Sequence, residues 1–140
     1  VTAKEYLLQI KEQNNHIRKQ QEYIQRLKDS LGIAGISYDK ERVQTSHEPD
    51  SFAKIICQID EEEQVLDKMK TRLVNIRVKI INEIHQLGNE KHQDVLNHVY
   101  VDEMSLKKTA SAMHFSYDYV KELHIAALNE FEEKFLPQSA

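Results

Sequence analysis

Two rows of aliphatic residues, each repeating at seven-residue spacing, constrain this chain more than anything else in it. The first is Ile10, Ile17, Ile24 and Leu31; the second is Ile59, Leu66, Leu73, Ile80 and Leu87. A seven-residue repeat lines up side chains on one seam of an α-helix, so each row reads as a long helix with one face to bury. Thr2 can cap the first helix, which is expected to run to about Leu31 and to end at Gly32 as a left-handed C-cap. Tyr6, Leu7 and Leu27 extend its stripe, while Asn14 and Gln21 fall where second seam residues would sit. That seam is narrow and partly polar. Asp50 or Ser51 can cap the second helix, expected to run to Leu87 before Gly88, with Ile55, Met69, Ile76 and Ile84 widening the stripe. At 1.5 Å per residue it spans roughly 55 Å. The first helix, folded back antiparallel, is the cheapest cover for it, but the second stripe is longer and richer than the first. The surplus predicts a homodimer, with Ile59, Leu66, Leu73 and Ile80 in the hairpin and dimer core.

Residues 32 to 50 break the helical pattern and read as a long polar connection, an unusual length inside a compact domain. Glu61-Glu62-Glu63 reads as a solvated helix face. A chain of 140 residues is one domain or two small modules. Apolar residues make 40% and charged residues 30%, with three Gly, two Pro and no Trp, which suits a helical protein rich in surface charge. Mean hydropathy is −0.63, and no apolar run reaches the roughly 18 residues of a membrane span. The opening residues carry no signal-peptide pattern. Cys57 is the single cysteine, so no internal disulfide can form, and a reducing cytoplasm is the expected setting. Set among Ile55, Ile56 and Ile59, its thiol is expected to be inert or partly buried.

The last 52 residues read as three helices. The first covers about Asn89 to Val101, with Val95, Leu96 and Val99 inward. Ser105 caps a second, through Met113; His114-Phe115-Ser116 is the turn; Ser116 caps the third, which carries Val120, Leu123, Ala127, Leu128, Phe131 and Phe135 on one face. Two helices joined by so short a turn can cross steeply enough for the second to enter a major groove. Ala110 is small where the helices approach, and Phe115 is expected to plug the turn. The fold expected is therefore all-α: an N-terminal antiparallel, coiled-coil-like helical hairpin over 1–88, with the long connection at 32–50, then a three-helix helix-turn-helix module over 89–140.

The chain resembles the ArpU-type phage transcriptional regulators, whose C-terminal half is similar to the promoter-reading domain of sigma factors. The resemblance runs nearly end to end. It rests on Thr2-Ala3-Lys4-Glu5-Tyr6-Leu7, on Glu41-Arg42-Val43-Gln44 with Ser46, on Tyr100, on Met113 and Ser116-Tyr117, and on Ala127-Leu128 with Phe131-Glu132. It implies a DNA-binding regulator of phage genes, touching host RNA polymerase, with no enzymatic activity. The chain departs from the family where contact matters most. Asp118, Glu122 and Ala126 stand where the resemblance leads one to expect arginine, leaving Lys121 and His124.

Charge sharpens the departure. From Asn89 to Ala140 there is no arginine, and five lysines face nine acids, which gives −4, the net charge of the whole chain. DNA affinity comes mainly from neutralised phosphates, so this module is poorly equipped for DNA. Ser116, Tyr117, Asp118, Tyr119, Lys121, Glu122 and His124 at the start of the last helix, with Lys107 and Lys108 on the helix before it, are the candidate contacts. Their target is double-stranded DNA under the first reading. Under the second it is a basic host protein, such as RNA polymerase or a nucleic-acid enzyme of the defence-nuclease kind, which the acidic scaffold binds and inhibits. A third reading makes the chain a dimeric coiled-coil adaptor. Four histidines of this module (His92, His98, His114 and His124) show no i, i+4 pair, and there is no phosphate-cradling glycine loop or nucleophile elbow. No enzyme, cofactor, metal site or membrane association is expected.

Overall fold

A computed structural model describes residues 1–33, 35 and 50–136. Most of the polar connection lies outside the described residues, as do Glu41, Arg42, Val43, Gln44 and Ser46. The described residues are almost entirely helical: α1 (Ala3–Leu7), α2 (Gln9–Ile33), α3 (Asp50–His85), α4 (Glu90–Leu96), a π-helical turn (Asn97–Val101), α5 (Leu106–Met113) and α6 (Tyr117–Phe135). Two compact units emerge. The larger joins Val1–Gln13 to Leu73–Ala140 and the smaller is Asn14–Arg72. Contacts therefore divide inside α2 and α3, not at Gly88.

The larger unit starts with a reciprocal cap. The Thr2 hydroxyl accepts the Glu5 N–H at 3.2 Å while the Glu5 carboxylate accepts the Thr2 N–H at 3.4 Å, which satisfies donors that every helix start leaves open. Ala3, Leu7 and Ile10 then meet Ile80, Ile84 and Leu87 in one core with Val95, Leu96, Val120, Ala127 and Phe131. Helix α6 is the hub, packed by α1, α4 and α5. Its buried residues Val120, Leu123, Ala127 and Phe131 recur at helical spacing and form a single face. Phe131 is fully buried, with its ring 5.7 Å from Tyr6 and 4.8 Å from Phe135. The Tyr6 hydroxyl donates to Glu83. Side chains from α4 and α6 finish the end of α3: Gln93 donates to the Leu87 carbonyl at 2.6 Å, Lys134 donates to the Gln86 carbonyl, and Glu130 accepts the Gly88 N–H at 3.2 Å.

The smaller unit has a thinner core. Ile24, Leu31, Ile56 and Ile59 are buried, with Leu27, Phe52, Ile55 and Leu66 half-buried against them. Polar bonds flank this seam. Gln20 donates to the Glu62 carboxylate at 2.7 Å, Gln58 donates to the Tyr23 hydroxyl at 2.7 Å, and Lys28 lies 2.9 Å from Glu63.

Several expectations need correction. Gly32 lies inside α2, and the left-handed backbone falls on Gly35, at φ 77. Helix α3 stops at His85. The second heptad row serves two cores: Ile59 and Leu66 belong to the smaller unit, Leu73 and Ile80 to the larger. Cys57 is exposed, because its neighbours Ile56 and Ile59 turn to the seam and leave it on another side. Glu61 is exposed, but Glu62 and Glu63 are half-buried and bonded across the seam. The helix expected to end at Val101 widens into a π-turn, closed by Asp102 N–H donating to Asn97 O at 2.9 Å. Val99 is only half-buried, while Tyr100 and Val101 are buried.

Candidate functional site

The end of α5 and the start of α6 are fixed by short-range chemistry. Ser105 caps α5 by accepting the Lys108 N–H at 3.2 Å, and Ser116 caps α6 by accepting the Tyr119 N–H at 3.2 Å. Between them His114 takes a left-handed conformation, φ 60, and Phe115 N–H donates back to the Ala110 carbonyl at 3.1 Å. Ala110 is buried where the two helices meet, and Val120 and Leu123 anchor α6 inward.

This leaves three aromatic rings outside. Phe115, Tyr117 and Tyr119 are 36%, 39% and 37% exposed. Phe115 does not plug the turn: it meets Tyr119 edge-to-face at 5.0 Å. Each ring has an ammonium beside it. Lys91 lies 5.3 Å from the Phe115 ring and 5.7 Å from the Tyr119 ring, and donates to the Tyr119 hydroxyl at 3.4 Å. Lys121 and Lys107 lie 5.3 Å and 6.0 Å from the Tyr117 ring. Such exposed contacts are worth about 0.5–1 kcal/mol each, weak enough for the ammoniums to turn to an anion instead.

The fold thus brings Tyr117 together with Lys107 and Lys121, and Tyr119 together with Phe115 and Lys91. Asp118 and Glu122 are exposed on α6, and Lys108 is exposed on α5. His124 departs from expectation. It is half-buried, with Nε2 2.7 Å from the Tyr100 hydroxyl and the two rings stacked at 5.6 Å. Burial, and then the Lys4 ammonium, hold its pKa below the ordinary histidine value, so at neutral pH it adds no charge to offset the acids. His92 bonds Glu130 at 2.6 Å, and His98 lies 3.6 Å from Asp102.

Lys91 is the residue that sequence reasoning missed. It sits more than twenty positions before the turn, and no spacing rule ties it to Phe115; only the packing of α4 on α6 does. Among the described residues no group of three or more His, Cys, Asp or Glu side chains converges as metal ligands would. Nor is any helix of the described residues long and apolar enough to cross a membrane. No family model, curated protein or solved structure matches the chain.

Proposed function

We propose that this chain is a DNA-binding transcriptional regulator of the phage type, in which α5 and α6 act as a helix-turn-helix and α2 and α3 as a helical hairpin that pairs two copies. The observation that carries this reading is the gathering of Lys91, Lys107 and Lys121 around Tyr117, Tyr119 and Phe115 at the start of α6. A module with net charge −4 presents three cations at the helix end that a major groove would receive. The lysines would meet phosphates and the tyrosine edges would meet bases or backbone. The resemblance to ArpU-type regulators supports the same reading, including contact with host RNA polymerase. Val74 and Val78, one helical turn apart on α3 and 57% and 50% exposed, are apolar surface that a second copy could cover.

Fluorescence anisotropy with random and phage-promoter duplexes, at low and physiological salt, tests the reading. Promoter-selective binding that weakens with salt is expected. Each of Lys91→Ala, Lys107→Ala and Lys121→Ala should lower the slope of log affinity against log salt by about 1. Absence of binding at low salt would sink it.

The exposed acids Asp118 and Glu122, with no arginine nearby in sequence, favour one second reading. In it the same aromatic face docks on a basic host protein, such as a defence nuclease, and inhibits it. Reversing both charges separates the two: DNA binding strengthens under the first reading, and partner binding weakens under the second.

A further inference from the structure

In the larger unit we propose a binding cleft for a small monoanionic carboxylate with an apolar body. The proposal does not rest on the nucleic-acid reading. The cleft, a cavity of about 440 Å³, lies between the first residues of the chain, the π-turn with the connector that follows it, and α6. Its size falls in the range of small-ligand pockets. On its inner side Tyr100, 4% exposed, is hydrogen-bonded to His124. Leu8, Val99, Met104 and Leu106, all half-buried, supply apolar lining. Lys4 and Lys11, both exposed and seven positions apart on one helical face, supply two ammoniums.

The charges select the ligand. Glu103 also lines the cleft, so two lysines and one carboxylate leave a formal +1, which suits one negative charge better than two. The Ser105 hydroxyl, whose oxygen accepts the Lys108 N–H, keeps its own O–H to donate. Two backbone irregularities bracket the site. Tyr100 sits in the π-turn, and Glu103 holds a left-handed φ of 54; irregularities of both kinds collect at functional sites. The charged and titratable groups facing His124 are Lys4 and Lys11 from the N-terminal helices, Tyr100 from the π-turn and Glu103 from the connector. Burial and Lys4 disfavour the imidazolium, whereas a bound carboxylate favours it. Binding therefore tightens as pH falls through the histidine range.

A titration of the full chain with sodium benzoate, followed by backbone amide NMR, tests this. Benzyl alcohol serves as the neutral match and inorganic phosphate as the anion without an apolar body. The expected result is saturable shifts clustered at Leu8, Tyr100, Ser105 and His124. Benzoate affinity should rise as pH falls below the ordinary histidine value of 6.5. The Lys4→Gln, Lys11→Gln double variant should bind about tenfold more weakly, with an otherwise unchanged spectrum because both side chains are exposed. Shifts scattered over surface lysines, an equal response to phosphate or to benzyl alcohol, or unchanged affinity in the double variant would each overturn the proposal.

Discussion

The two units of this chain are built from the same two long helices, and they solve burial differently. The larger unit recruits short helices around α6 and fills its centre with Phe131, flanked by Tyr6 and Phe135. The smaller unit has two helices, and among its described residues only Ile17, Ile24, Leu31, Ile56 and Ile59 are buried, with polar bonds alongside. Two helices give each buried residue fewer neighbours than three or four do. The heptad rows look alike in both units; what surrounds them sets how much each residue is worth.

Removing the largest fully buried side chain, Phe131, is the harshest test of that difference. Phe131→Ala should cost about 3–5 kcal/mol, from lost transfer energy and the cavity left behind. Net stabilities are only about 5–15 kcal/mol, so urea denaturation should show the larger unit close to unfolding. Ile59→Ala in the smaller unit should cost about 2–4 kcal/mol, less because the void is smaller and a two-helix seam collapses more readily. Hydrogen exchange assigns each loss. Protection should fall in residues 1–13 and 73–136 for the first variant and in 14–33 and 51–72 for the second. Equal loss everywhere in both variants would mean that the division is not a cooperative one.

Titration sharpens the comparison at a smaller scale. Burial pushes the Tyr100 hydroxyl up to about 12 from an unperturbed 10. The folded chain then holds a proton that the unfolded chain loses, so the contribution is complete below pH 10 and disappears as pH rises to about 12. At most about 3 kcal/mol is involved. Tyr6, raised by burial and by its bond to Glu83, acts with the same sign. His124 is shifted down, so its contribution is present above the unfolded value of 6.5 and is lost as pH falls below it. Tyr100→Phe should flatten part of the alkaline loss in a pH series of urea melts. An unchanged alkaline limb would show that Tyr100 is not responsible for it.

The helices were legible in the sequence because their signals are local. Thr2, Asn89, Ser105 and Ser116 cap within three residues, and Val120, Leu123, Ala127 and Phe131 keep a helical period. Gly32 misled because glycine permits a left-handed end without requiring one, and the chain makes that conformation three residues later. The π-turn left no periodic trace: one extra residue per turn changes which side chains face in without changing their character. In the candidate site, Tyr117, Tyr119, Lys107 and Lys121 were readable from the motif. Lys91 and the withdrawal of His124 were not, because both depend on contacts from residues more than twenty positions away.

The smallest effect belongs to the ion pair of the smaller unit, and its size discriminates. Lys28 and Glu63 lie 2.9 Å apart with side chains 32% and 29% exposed, beside an open groove of about 680 Å³ that Ile24 and Leu66 also line. Water reaches both charges there, so a double-mutant cycle with Lys28→Ala and Glu63→Gln should give a coupling of about 0.2–1 kcal/mol that shrinks as salt rises. The homodimer proposed above alters that arithmetic if its second copy closes this groove. Covering the pair removes water, strengthens the attraction and leaves either partner costly to delete alone. The coupling would then exceed about 2 kcal/mol, resist salt and grow with protein concentration. A small coupling at every concentration means that the dimer contact does not close this groove; in the larger unit, Val74 and Val78 offer other apolar surface.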